Sequence, residues 1–558
     1  MVSEIHKDIK FKNIILIIVF SLPFLIKIND YDIWYHMVIG REIVNTGSIP
    51  SSEFYIYSLL GQSSSFHEWG FGLFYYLIYN WFGIHGLNIV NAIIGGIVLF
   101  VLYQSIDTKS NFKNYLKIIF ILLVVFFIKT RFIFRPENFL FLAMSLEIFF
   151  LEKFRSTNDR KFLFYLPLLT LFLNNIHPSA IFLIGIMGAY FIQFLIDNRH
   201  ESDKKNKLIF LFIIFLSVIS SCANPYGFEQ LFLPISFIMQ NKVLKVTEEF
   251  MPLWQSDYIY LFSIYFVISF FSFLIKGNKK IVYFILFSVF GILAYKYTRN
   301  IALFVIVMYV PNVKGYTNFF ETYLEKFNVI KLKVFIFIIV LLASLVTYFT
   351  YFIGGWGFGI VDHLFPIKIA RMLKQKDGTG NIFNYYSYGG YLGWVLNGKN
   401  LVAIDGRHYY YDKSWREHDE IITMRNQWST LLDENNIKYI VIPTMLWNSE
   451  VFPIIHYLYG NKEWLLLAED YEALLFERSN SKMTLSKNVL DKNKIWHHVI
   501  NISHYFSNER IKNLNLGISY YKLKQYKNAL YHFKIYRQYS PDDKEINMII
   551  QQLEKMGF

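Results

Sequence analysis

The sequence predicts a polytopic α-helical membrane protein that ends in a small α/β domain and a helical tail. Three observations lead there. Apolar blocks recur between residues 13 and 353, each close to the ~20 residues a helix needs to cross a bilayer. Lys and Arg gather between alternate blocks rather than evenly. Beyond residue 354 the blocks give way to short β-rich segments separated by amphipathic ones.

Composition alone decides less than this distribution. The hydrophobic share of the 558 residues is 54% with Tyr counted, little above a soluble average. The net charge of +13 comes from 55 Lys and Arg against 42 Asp and Glu. Such a balance can mark a nucleic-acid binder, but between apolar blocks it sets topology instead, so nucleic acid is not an expected partner. One cysteine, Cys222, excludes an intrachain disulfide framework and a Cys-based zinc ribbon.

Taken in order, the first span is Asn13–Ile28, behind Lys7, Lys10 and Lys12. No small-x-small cleavage site follows it, so it reads as an uncleaved anchor. Further spans are expected at Ile84–Tyr103, Tyr115–Ile128, Phe139–Leu151, Phe162–Asn174, Ser179–Ile196 and Leu208–Cys222. Tyr258–Ile275, Ile281–Tyr295, Ile301–Val310 and Val334–Ile353 follow, for about eleven in all. A cytoplasmic N-terminus puts Lys109, Lys113, Lys153, Arg155, Arg160, Lys161, Arg199, Lys204, Lys276, Lys279, Lys314 and Lys326 on the inside. Outer loops hold few basic residues, among them Arg131, Arg135, Lys242, Lys245 and Arg299. An odd number of spans leaves everything after Gly354 outside. The expected place is a cytoplasmic (inner) membrane, and the Phe-, Ile-, Lys- and Asn-rich composition is associated with AT-rich bacterial genomes.

Three regions follow: a membrane module over 1–353 with a first outer loop at 29–83, an extracytoplasmic α/β domain over 354–478, and a helical tail over 479–558. In the α/β domain Ile367–Lys376 and Trp415–Trp428 read as helical. Asn381–Asn384, Leu401–Ile404, Lys438–Pro443 and Trp464–Ala468 read as strands. From Arg510 to Asp543, Leu516, Gly517, Tyr520, Ala529, Phe533 and Pro541 fall at tetratricopeptide offsets. A plain helical hairpin is the alternative, because one repeat cannot bury both its faces.

Candidate chemistry clusters on the outer side. Asp30, Asp32 and His36 follow the first span. Two neighbouring carboxylates repel and call for a cation, a shared proton or a basic ligand. They would hold a divalent metal such as Mg or Mn, supply a general base, or simply end a helix; the residues leave these open. Arg131, Arg135 and Glu137 lie in the next outer turn, His177 beside Asn174 and Asn175, Glu249 in a long loop before Pro252, and Arg299 between two spans. Guanidinium forks suit phosphate oxygens, and charge beside lipid is costly unless it serves a purpose. Snorkelling or pairing with acids is the plainer account for the arginines, and interhelical contacts for Asn174, Asn175 and His177. Asn224 to Gly227 reads as a turn, and Cys222 as a small buried residue. In the tail, Tyr385 to Leu392 carries Gly389-Gly390, which permit unusual backbone angles and a close approach of another chain. Asp405-Gly406-Arg407 follows a strand, where Asp405 either contacts a ligand or caps the loop.

Together these positions resemble the GT-C class of membrane glycosyltransferases, in particular the oligosaccharyltransferase catalytic subunit. Asp30 to His36 is similar to that family's first-loop acidic motif, and Val246 to Pro252 to its Ser-Val-Ser-Glu-x-x-Pro, with Glu249 at the Glu position. Arg299 and Pro311 match an Arg before a span that ends in Pro. Tyr385 to Gly389 and Asp405 follow the layout of its Trp-Trp-Asp-Tyr-Gly and later Asp, although Ser387 stands where the family has Asp and Tyr385 and Tyr386 where it has Trp. The chain also resembles bacterial membrane proteins of unassigned activity with Asp-x-Asp after the first span and a late Asp-Gly-Arg.

The resemblance implies transfer of a sugar or glycan from a polyprenyl-phosphate-linked donor to an extracytoplasmic acceptor. Asp30 would take the acceptor's proton, with Asp32 assisting or binding metal and Glu249 orienting the acceptor. Arg135 and Arg299 would meet the leaving phosphate. His36, Arg131, Glu137, His177, Tyr388, Asp405 and Arg407 would contact substrate. Expected partners are the lipid-linked donor, membrane lipid and a protein docked on the tail. The alternatives are a non-catalytic membrane scaffold that docks a partner through its tail, and a flippase of lipid-linked sugars.

Overall fold

A computed structural model describes residues 2–107, 111–197, 204–239, 250–256, 258–275, 280–323, 333, 337, 344, 355–376, 379–407, 412–445, 450–479, 493–506 and 508–558. The chain is mostly helical with one small mixed sheet. It folds as two compact units: Met1–Asp30 with Phe66–Ile360, and Tyr31–Ser65 with Val361–Phe558. The boundaries differ from those expected. The first half of the outer loop belongs with the C-terminal region, and the α/β part and the tail form one unit.

The first unit holds α1 (Val2–Ser21), α3 (Trp69–Gln104), α4 (Asn111–Lys129), α5 (Glu137–Thr157), α6 (Lys161–Ile176), α7 (Ala180–Asp197) and α8 (Lys204–Ser221). It continues with α9 (Phe228–Met239), α10 (Ile259–Leu274), α11 (Ile281–Lys296) and α12 (Ile301–Tyr323); α2 (Asp32–Thr46) lies in the second unit. Ten expected spans fall on ten of these helices, whereas Val334–Ile353 lies almost wholly outside the described residues. By length and apolarity, only Trp69–Gln104 and Ala180–Asp197 suffice to cross a membrane among the described residues. Lys161–Ile176, Ile259–Leu274 and Ile281–Lys296 are apolar but shorter. The helix expected from Ile84 starts fifteen residues earlier, at Trp69, and kinks at Gly83, whose φ is 62°. The twelve-residue α9 was not expected, because Pro234 interrupts an already short pattern.

Polar side chains stitch these apolar helices together. Thr170 and Asn174 of α6 donate to the main-chain oxygens of Ser217 and Ser221 at 3.0 and 2.6 Å. Buried Asn312 of α12 donates to Tyr265 and Ser269 of α10 at 3.2 and 3.0 Å and accepts from Ser272 at 2.8 Å. A buried amide costs free energy unless so satisfied. Asn174 thus makes the interhelical contact its position implied. Asn224 forms the expected turn, accepting from the Tyr226 amide at 2.8 Å. Cys222 is half-buried, with its thiol on the Val218 carbonyl.

The second unit is built on a four-stranded sheet in the order β1-β2-β4-β3, with β1 (Asn381–Asn384), β2 (Ile437–Pro443), β3 (Trp464–Asp470) and β4 (Ala473–Arg478). β1 runs parallel to β2, and β4 is antiparallel to both its neighbours. Expected strand Leu401–Ile404 forms only isolated bridges at Val402, to Ile382 and Ile56, since it pairs at single residues rather than along a ladder. β4 was missed: Ala-Leu-Leu-Phe-Glu-Arg has helical propensity, overridden here by burial of Leu474, Leu475 and Phe476 in the sheet. The helix expected over Trp415–Trp428 is two, Asp412–Thr423 and Trp428–Glu434, separated by Met424 and Asn426 at φ 54° and 48°.

Tyr386–Leu396 is a helix, and Gly389 and Gly390 have helical rather than positive φ. What lies close to both glycines is the same chain. A Cβ at Gly389 would strike the Ile404 carbonyl and one at Gly390 the Tyr35 backbone nitrogen of α2. In the tail, Glu509–Lys522 and Tyr526–Tyr539 form a helical hairpin followed by Lys544–Lys555. Phe533 sits where a Cβ on Gly517 would be, and Ala529 is fully buried.

Candidate functional site

Between α4 and α5 the chain runs Thr130-Arg131-Phe132-Ile133-Phe134-Arg135-Pro136, and burial alternates along it. Phe132 packs on Phe24 at a ring separation of 4.5 Å, and Phe134 lies edge-on to Tyr75 at 6.4 Å. Anchoring these two rings turns Arg131 and Arg135 toward the other side. Pro136 then starts α5, where a missing N–H costs nothing, and Glu137 is the first helical residue. A carboxylate is favourable at that positive helix end.

Glu137 is the hub. Its Oε2 lies 2.7 Å from Arg131 Nη2 and its Oε1 lies 3.5 Å from Arg299 Nη2. Arg299 comes from a short turn, Thr298–Asn300, between α11 and α12. Thr298 N bonded to the Met251 carbonyl at 3.1 Å and Asn300 Nδ2 bonded to the Leu293 carbonyl at 3.2 Å fix that turn. The Arg299 guanidinium stacks over Phe250 at 4.9 Å. Arg131 and Arg299 line a cavity of about 330 Å³, together with Phe127, Met251, Tyr258 and Ile301. Two guanidiniums thus meet at one carboxylate beside an apolar wall.

Asp30, buried at 3% exposure, is bound by Arg135 through two hydrogen bonds, Nε to Oδ2 at 3.0 Å and Nη2 to Oδ1 at 3.1 Å. His177 sits just past the end of α6. Burial holds its imidazole down at about 4, against the opposing pull of the Glu137 carboxylate, so it is neutral near pH 7. Its Nε2 is 3.6 Å from Glu68 Oε1, beyond hydrogen-bond range, and its Nδ1 has no partner among the described residues.

Asp30, Arg131, Arg135, Glu137, His177 and Arg299 therefore belong to one neighbourhood of the first unit. Glu68 joins it, and Thr130, Gln255 and Tyr258 do so without having been singled out; they lie at helix ends, and no spacing in the sequence marks them. Glu249 lies outside the described residues. Asp30 is paired with Arg135, and among the described residues no three His, Cys, Asp or Glu side chains stand close enough to hold a metal ion.

The remaining expected residues lie in the second unit. Asp32 opens α2, its carboxylate packed where a Cβ on Gly406 would go, and His36 is buried in the same helix at 2% exposure. Asp405 and Arg407 form a closed clamp. Arg407 Nη2 donates to Asp405 Oδ2 at 2.7 Å, and its Nη1 lies 3.1 Å from Glu53 Oε2. Tyr55 OH also donates to Asp405 Oδ2. At 0% and 4% exposure, Asp405 and Arg407 face each other and the 53–55 segment. Burial raises the Tyr55 phenol well above its usual range, so it stays a donor. Tyr388 is buried beside Tyr385, with ring centres 6.1 Å apart. Glu472, at the turn between β3 and β4, acts electrostatically on Tyr388 and Tyr385, and burial pushes its own carboxyl up to about 7.

No family model matches the chain, and no curated protein matches it.

Proposed function

We propose that the protein is a multi-pass membrane glycosyltransferase that transfers a sugar or glycan from a polyprenyl-phosphate-linked donor to an acceptor on the outer face. The observation that carries this reading is the cavity lined by both Arg131 and Arg299, which Glu137 holds together. Two guanidiniums on one cavity suit a phosphate group, and the Phe127, Met251 and Ile301 wall suits the start of an isoprenoid chain.

Membrane placement, with about eleven spans, rests on the helix surfaces. On α8, Leu208, Leu211, Phe212, Phe215 and Ile219 are exposed at helical spacing, as are Phe164, Tyr165, Leu168, Leu171 and Phe172 on α6. Stripes of that size on a chain in water would be open docking or aggregation surfaces; against lipid they need no further partner. The shorter helices are compatible with a span because polar residues at their ends extend into the interface.

In the reaction, an acceptor heteroatom bonds to the anomeric carbon as the carbon–oxygen bond to the donor phosphate breaks. The acceptor's proton passes to Asp30, whose orientation Arg135 fixes, and the negative charge gathering on the departing phosphate is met by Arg131 and Arg299. Such preorganised charge is the largest contribution expected in a transfer of this kind. His177, neutral, supplies a polar edge without adding charge.

The test is transfer in membranes supplied with a lipid-linked sugar pool. Arg299→Gln is expected to reduce product ~100-fold, with Asp30→Asn at least as severe. Undiminished glycoconjugate in both variants would exclude the transferase reading and leave the scaffold or flippase.

A further inference from the structure

Helix α5 has a second polar centre at its other end. A cavity of about 290 Å³ opens beside Arg155, walled by Phe154, Tyr190, Gln193, Phe194 and Phe210. At its edge buried Glu152 accepts from Lys314 Nζ at 2.5 Å, Tyr190 OH at 2.8 Å, Tyr283 OH at 3.1 Å and Arg155 Nη1 at 3.3 Å. Arg155 Nη1 also donates to Tyr283 OH at 2.8 Å. These bonds use one terminal nitrogen. Nε and Nη2 of Arg155 have no partner among the described residues, and the side chain keeps 24% exposure.

Among the described residues the local charge does not cancel. Arg155 and Lys314 face Glu152, and Asp197, which also lines the cavity, is balanced by Lys280, which leaves one positive charge. Gln193 adds none and is already engaged, by Asp197 Oδ1 at 2.9 Å and the Val282 amide at 3.2 Å; Asp197 is paired with Lys280 at 3.1 Å. An accessible guanidinium edge beside aromatic walls has the geometry for two oxygens of one phosphate group. Glu137 and Arg155 are eighteen positions apart on α5, about 27 Å at 1.5 Å per residue. That matches a hydrocarbon thickness of ~30 Å, so the two cavities fall at the levels of opposite headgroup layers. The exposed ridge of α8, from Leu208 to Ile219, starts beside Phe210 and offers acyl chains a path.

We infer that this cavity is a second, non-catalytic site that binds a phosphate group, carried by an anionic phospholipid of the leaflet opposite the transfer site. The inference rests on the membrane placement proposed above and not on glycosyl transfer, so its test reads lipid binding alone.

The full chain is reconstituted in phosphatidylcholine nanodiscs containing phosphatidylglycerol, and co-purifying lipid is counted by native mass spectrometry. The wild type should retain phosphatidylglycerol. Arg155→Gln should weaken retention about tenfold or more, as for loss of a charged hydrogen bond, and Arg155→Lys, which keeps charge but loses the fork, should fall between. Lys153→Gln removes one charge from the same turn outside the cavity, where Lys153 pairs with Asp107, and should change nothing. If glycerol phosphate in solution displaces the lipid at equal concentration, the phosphate site stands and the lipid assignment is overturned. Equal retention by Arg155→Gln and Arg155→Lys in folded protein, or equal loss in Lys153→Gln, overturns the site.

Discussion

Arg135 and Asp30, 105 residues apart in sequence, are joined by two hydrogen bonds of 3.0 and 3.1 Å, with Asp30 buried and Arg135 partly open to solvent. The asymmetry gives a directional expectation. Arg135→Ala strands a buried carboxylate and should cost ~3–5 kcal/mol. Asp30→Asn leaves a guanidinium that water can reach and should cost clearly less. Thermal unfolding of both variants in the same detergent checks the order; equal losses would mean that the pair is not the buried contact described.

Glu137 couples Arg131 to Arg299, so their substitutions should not add. Changing either to Gln leaves Glu137 one of these two partners, whereas changing both removes the two together. A double-mutant cycle in unfolding free energy should show a coupling of ~1 kcal/mol or more. A value within error of zero would mean that the two guanidiniums are not held by one carboxylate.

Tyr55 donates to buried Asp405, which Arg407 also holds. Removing the hydroxyl in Tyr55→Phe leaves the salt bridge in place and should cost ~1–2 kcal/mol. Because the clamp is closed, substrate affinity should not move. A change in KM without a change in stability would assign Asp405 to ligand binding instead.

Burial raises Glu472 from 4.5 to about 7, which makes stability depend on pH. The folded chain holds this proton more tightly than the unfolded chain, so the full stability is present below about pH 4.5. It declines as pH climbs toward 7 and levels off above, a loss of ~3 kcal/mol. Glu472→Gln should abolish that decline and stabilise the protein at pH 8 while changing little at pH 4. Parallel melting curves for the two proteins across this range would refute the assignment.

In the tail, Gly517 admits the Phe533 ring at a place where a methyl group would stand 2.5 Å from two ring carbons. Gly517→Ala gains helix propensity of ~1 kcal/mol but must separate the hairpin, so a net loss of ~1–2 kcal/mol is expected. Hydrogen exchange over Glu509–Tyr539 should quicken relative to the rest of the chain.

Ten helices stand where apolar blocks placed them, because block length and the lysines between blocks are properties of contiguous residues. The neighbourhood of Arg131, Arg135, Glu137, His177 and Arg299 was also visible, as charge out of place between apolar segments. β4 was not visible, since Ala473–Arg478 has the residues of a helix and becomes a strand only between β2 and β3.

What the sequence determined by itself is therefore what depends on neighbours along the chain: ten helices of the first unit, the strands β1, β2 and β3, and which residue types carry charge at helix ends. What only the tertiary structure decided is who meets whom. Tyr57 donates to the Val402 carbonyl and Val402 to the Tyr55 carbonyl, both at 3.0 Å, drawing residues 31–65 into one unit with the C-terminal region. The same holds for the difference between Arg299, which lines a cavity, and Arg407, sealed between Asp405 and Glu53. Both are arginines after apolar runs; their roles diverge because partner distance and solvent access are set by packing across hundreds of residues, which leaves no local pattern.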